Sequence, residues 1–185
     1  KIPEENNDDI QNFYKELEFN SFLQNIEKEQ ISTKYKTIQN LDDLKMVENL
    51  VDSSKFFAFD VETSSLNMNE KNLVGISFSA KKYEGFYIPL NHNESGNIQE
   101  DKVILWLKNL LTRNQDKIIG HNLKFDIGVL QNYDIHITRF HSDTMLMSYI
   151  VNSTAARHNL DALSEHYLSR KTIKFEDVIG KGPKK

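Results

Sequence analysis

The 185-residue sequence contains no cysteine. Disulfides and thiolate metal sites are therefore excluded. No apolar stretch approaches the ~20 residues that a membrane-spanning helix needs, and no signal peptide opens the chain. Both absences fit a cytosolic protein with no membrane contact. An excess of basic charge is missing too, since the net charge is −4 and the isoelectric point about 5.9. A broad basic face for duplex DNA is thus not expected. Nucleic acid, if bound, is gripped over a short stretch or with help from another part of a larger polypeptide. There is no internal repeat and no low-complexity segment. What is present is core material: 38% hydrophobic residues, with 11 Phe, 7 Tyr and 1 Trp. The length suits one domain with an appendage.

The chain divides at about residue 30. Residues 1–30 read as a helical linker or appendage, with Ile10, Phe13, Tyr14 and Leu17 at helical spacing and Phe22, Leu23 and Ile26 in a second short helix. Residues 31–185 read as the main domain. A strand is expected from Lys34 to Gln39, then a helix from Leu41 to Val51 capped by Asn40. Three strands follow at about 55–61, 73–78 and 85–90, close enough together for an antiparallel meander. Val103, Trp106, Leu107, Leu110 and Leu111 make the core stripe of a helix over 98–112. Lys117–Gly120 reads as a short parallel strand feeding a helix to Gln131, and Arg139–His141 as a last short strand. Asp143 caps a helix over 144–151, and Asn159 begins another to Leu168. Strands first, then alternating helix and strand, imply a mixed α/β sheet flanked by helices.

The chemistry concentrates at Phe56–Thr63, where an apolar run drives into Asp60 and Glu62. In a strand these two acids share a face, with Cα atoms ~6.5 Å apart. Two carboxylates so placed need a cation or a proton between them, or open solvent around both. Asp126 lies one turn into the helix that follows the short parallel strand. An open sheet can bring all three acids to one edge. Three oxygen ligands without cysteine suit Mg²⁺ or Mn²⁺ rather than zinc, and such ions commonly serve phosphoryl chemistry.

Four stretches carry a resemblance: FFAFDVETSSL (56–66), NLVGISFS (72–79), IIGHNLKFDIGVL (118–130) and the long run from Asp143 to Gly182. Together they resemble the 3′–5′ proofreading exonuclease domain of the bacterial DNA polymerase I family, a DEDD exonuclease. The resemblance implies a ribonuclease H-like, mixed five-stranded sheet flanked by helices. It implies two Mg²⁺ (or Mn²⁺) ions: Asp60 bridging both, Glu62 on the first, Asp126 helping to hold the second. Leu66 matches an apolar wedge against the terminal base. Asn122, Lys124 and Phe125 match the substrate-binding neighbourhood of the third acid, Arg157 a phosphate contact, and Phe175 an aromatic near the single strand. The implied partners are a single-stranded DNA 3′ end and a polymerase domain in the same chain, in a bacterial cytoplasm at the nucleoid. The N-terminal FYKELEFNSFL resembles the connection to a 5′ nuclease domain.

The family's last motif, Tyr-x-x-x-Asp, has no match after Asp126. The expectation is therefore a domain lacking its C-terminal helices, weak or inactive alone and open to self-association. Two other readings compete: a 3′–5′ exoribonuclease of the same superfamily, and a catalytically silent nucleic-acid-binding or structural domain. His121 and Asp126 also have the spacing of a motif in which His is a general base. That assignment needs another acid between Glu62 and His121, and only Glu100 and Asp101 offer themselves. The remaining histidines have no zinc spacing and read as structural or surface residues.

Overall fold

Alternation decides the central strand. Phe57, Phe59 and Val61 are buried while Ala58, Asp60 and Glu62 face the other way, as the two-residue period of an extended chain requires. The computed structural model describes residues 7–17, 19, 32–71, 73–90, 98–154 and 157–173. It divides into two compact units, Lys1–Thr33 and Lys34–Lys185. In the first, α1 (Asn7–Glu16) is the described element. The second short helix expected near Phe22, and Phe175, lie outside the described residues.

The second unit is built on a mixed six-stranded sheet in the order β1-β4-β3-β2-β5-β6. β1 (Lys34–Thr37), β2 (Phe57–Thr63), β3 (Leu73–Ser79) and β4 (Glu84–Pro89) precede β5 (Ile118–Gly120) and β6 (Ser142–Asp143). β2, β3 and β4 form the expected antiparallel meander. The expectation of five strands is one short, because β1 returns to pair parallel with β4, Lys34 opposite Glu84. The last strand also starts later than Arg139–His141. His141 N–H donates to Ile118 O, and the ladder proper then runs through Ile119–Ser142 and Gly120–Asp143.

One face of the sheet carries the core. Phe57, Phe59 and Val61 meet Ile76, Phe78 and Ile88 from the neighbouring strands. Helices α2 (Leu41–Ser53), α3 (Glu100–Asn114) and α4 (Leu123–Gln131) cover them with Val47, Leu107 and Leu130 among others. Each such buried side chain contributes about 1.5–3 kcal/mol. The Trp106 ring stands edge-on to Phe78 at 5.9 Å. α2 and α3 are clamped by Arg113, which donates from Nε and Nη2 to the two carboxylate oxygens of Asp52 at 3.1 and 2.9 Å. Asn40 caps α2 by accepting from Asp43 N–H, and Asn159 caps α6 (Leu160–Leu168) by accepting from Ala162 N–H. Between them in sequence runs α5 (Thr144–Val151).

Candidate active site

The opposite face of the sheet holds the acids. β3 sets only Gly75, Ser77 and Ser79 beside Glu62, Asp60 and Ala58 of β2. A groove of about 680 Å³ opens there, lined by Asp60, Ser77, Tyr87, His121 and Thr144 among others.

Asp126 reaches this face from α4. β2 outruns β5, whose last partner is Ala58 opposite Ile119. The Val61 N–H beyond that pair donates to Asp126 Oδ1 at 2.9 Å. Val61 stands between Asp60 and Glu62, so this bond ties the third acid to the acidic pair. Asp126 is 3% exposed. Burial first, and then the Asp60 charge, push its carboxyl up to about 7, against the opposing pull of the Val61 hydrogen bond. Asp60 is pushed up to about 6 by desolvation and by Glu62. Burial and the Glu62 charge also raise Tyr87, which stands on the same face.

Asp143 anchors the turn that carries Asp126. Its Oδ1 accepts from Asn122 N–H at 3.1 Å and its Oδ2 from Leu123 N–H at 2.8 Å. It also caps α5, accepting from Met145 N–H and Leu146 N–H at 2.8 and 3.3 Å. Asn122 occupies the cap position in a left-handed conformation, φ 63°, and makes no side-chain cap bond. It is exposed while Asp126 is buried, so the two do not share an environment. The β5–α4 turn needs glycine, because a Cβ on Gly120 would stand 2.3 Å from Leu123 Cδ2.

The other expected site residues differ in exposure. Leu66 is 90% exposed, on a loop that Asn132 pins by donating to Met68 O and Glu70 O. Lys124 and Arg157 are exposed and in no ion pair among the described residues. Phe125 packs partly buried against the core rather than standing free. His121 Nδ1 lies 2.9 Å from Thr144 Oγ1, whose own proton goes to Gly120 O. Nδ1 is therefore the donor, and Nε2 is a buried acceptor without a partner among the described residues. Burial holds His121 below its usual range, with Asp143 opposing. Glu100 and Asp101, which a general-base role for His121 requires, open α3 on the core side of the sheet.

The donor set fits a hard divalent cation by its chemistry. Asp126 and Asp60 are both held toward the protonated form, and among the described residues no Lys or Arg pairs with either acid or with Glu62. A cation relieves such repulsion. Among the described residues, no three Asp, Glu or His side chains close into a complete ligand cluster. Sequence reasoning missed the second role of Asp143 and the place of Tyr87. For Tyr87 a signal existed, in the small residues at alternate positions of β3.

A sequence profile of a 3′–5′ exonuclease family matches residues 35–185. DNA polymerase I of Pseudomonas aeruginosa is 34% identical over 190 aligned residues, taking in 92% of this chain and 21% of that protein. DNA polymerase I of Borreliella burgdorferi is 39% identical over 158 residues, taking in 85% of this chain and 16% of that protein. The chain thus spans 16–21% of the length of these curated relatives. Among solved structures, RNase D of Escherichia coli, an exoribonuclease, superposes with a TM-score of 0.58 at 18% identity, over 78% of this chain and 36% of that one. That likeness is one of fold.

Proposed function

The chain belongs to the 3′–5′ exonuclease family represented in DNA polymerase I, and from that premise we propose that it hydrolyses the 3′-terminal phosphodiester of single-stranded DNA ends. The product is a deoxynucleoside monophosphate. The observation that carries this reading is the Val61 N–H to Asp126 bond, which gathers a third carboxylate to the Asp60–Glu62 pair on an open sheet face.

Asp60 and Glu62 would hold one Mg²⁺ or Mn²⁺ ion, and Asp60 and Asp126 a second. Such ions supply Lewis acidity toward the phosphate and a water of lowered pKa. The chain's own residues bind and orient the strand. Leu66, projecting into solvent from a pinned loop, presses on the terminal base. Lys124 and Arg157 offer exposed positive charge to phosphates, Asn122 stands at the start of α4, and Phe175 supplies an aromatic face for the strand. Stacking and local phosphate contacts hold a single strand without reading its sequence. Mismatched ends fray more readily than paired ones, so a site that accepts only single strands removes errors preferentially. The partner is a polymerase domain in the same polypeptide, in a bacterial cytoplasm at the nucleoid. Among the described residues no helix is long and apolar enough to cross a membrane.

The test is a 5′-labelled single-stranded DNA incubated with the chain and Mn²⁺, beside a matched RNA. Stepwise shortening of the DNA from its 3′ end, abolished by Asp60→Asn and Asp126→Asn, is expected. Internal cutting, shortening from the 5′ end, faster loss of the RNA, or equal rates in Asp60→Asn contradict the proposal.

A further inference from the structure

Tyr87 enters the acidic face from two strands away. In the β3–β4 ladder it stands opposite Ser77, and Ser77 stands opposite Asp60. Its ring does not rise from that row. It leans along the face to Gly75, where a built Cβ would lie 2.1 Å from Tyr87 Oη and 2.5 Å from the ring. Gly75 is the cross-strand partner of Glu62. Directly opposed residues of an antiparallel pair carry their Cβ atoms ~4.5–5.5 Å apart on one face. The phenol hydroxyl therefore fills the side-chain space that glycine vacates, immediately beside Glu62. Any larger residue at position 75 would bar it. The Glu62 charge, second to burial, holds the Tyr87 phenol above its usual value.

We propose that Tyr87 is a positioning residue for Glu62, its hydroxyl laid across Gly75 to donate to the Glu62 carboxylate and hold it toward the acidic face. The proposal rests on the reading of Glu62 as a metal-holding acid. A long glutamate side chain at a strand end, with register shifting between Glu62 and Thr63, has several rotamers to choose from. A phenol donor fixes one of them and keeps both carboxylate oxygens from turning to bulk water. Such supporting hydrogen bonds orient ligands and tune the affinity of the ion they hold.

The experiment uses the full 185-residue chain with ¹³C-labelled glutamate and no metal. The Glu62 carboxyl resonance, assigned with Glu62→Gln, is compared in wild type, Tyr87→Phe, Gly75→Ala and the turn variant Tyr83→Phe. Tyr87→Phe removes only the hydroxyl, and Gly75→Ala displaces it while leaving it on the ring. Both should move the resonance, and Tyr83→Phe should not. In parallel, Mn²⁺ binding is followed by electron paramagnetic resonance. Tyr87→Phe should weaken it about tenfold, and the double variant with Glu62→Gln should bind no more weakly than Glu62→Gln alone. A Glu62 resonance unmoved by both Tyr87→Phe and Gly75→Ala overturns the proposal, as do losses that add in the double variant. If Asp60→Asn leaves Mn²⁺ binding intact, the metal reading fails, and the resonance still decides the contact between Tyr87 and Glu62.

Discussion

Asp126 carries its charge where charge is least welcome. Its folded pKa of about 7 stands above the unfolded 3.8, so the folded state prefers the protonated acid. The stability this gives is complete below the unfolded value and is lost as pH rises through about 7. Asp126→Asn keeps an acceptor for Val61 N–H and removes the charge. In chelator, it should raise metal-free stability at pH 8 by on the order of a few kcal/mol, with the gain shrinking toward pH 5. Urea unfolding at both pH values checks this; an equal loss at both would contradict it. Leu66 is the opposite case, a large apolar side chain left in water. Leu66→Ala should leave stability within ~0.5 kcal/mol while slowing 3′ shortening of single strands. A melting curve read beside the shortening assay separates the two effects.

At the scale of elements, the Asp143 carboxylate joins two helix starts through four backbone N–H groups. Asp143→Ala strands those donors and should cost about 2–4 kcal/mol in urea unfolding. It should also weaken Mn²⁺ binding, because the start of the helix that carries Asp126 loses its anchor. Asp143→Asn should be milder on both counts. Much of this level was legible in the sequence. Asn40, Asp143 and Asn159 announce helix starts by residue type, and the Phe57–Phe59–Val61 alternation announces a strand with its acids on the far face. The second role of Asp143 was not legible, because its partners lie about twenty residues upstream and meet it only through the pairing of β5 with β6. β1 was visible as a strand but not its partner, since four exposed residues carry no pattern that selects a neighbour. Phe125, which the family resemblance places in the substrate-binding neighbourhood, packs partly buried against the core, a placement the sequence did not signal.

At the scale of the whole molecule, α5 and α6 leave several large apolar side chains in water. Ile150 is 85% exposed, Val151 72% and Leu168 71%. Exposed apolar side chains of this size favour association. The isolated chain should therefore self-associate in a concentration-dependent way by sedimentation, and Ile150→Glu should reduce it; a monomer at all concentrations would contradict this. Among the described residues no three acids close into a complete ligand cluster, so turnover by this chain should be slow even where the ion binds. The central claim is that Asp60, Glu62 and Asp126 together hold a divalent cation, and calorimetric titration of Mn²⁺ into the chain at pH 8 tests it most directly. Saturable binding that Asp60→Asn abolishes and Asp126→Asn weakens is the predicted result. No binding, or binding unchanged in Asp60→Asn, would contradict it.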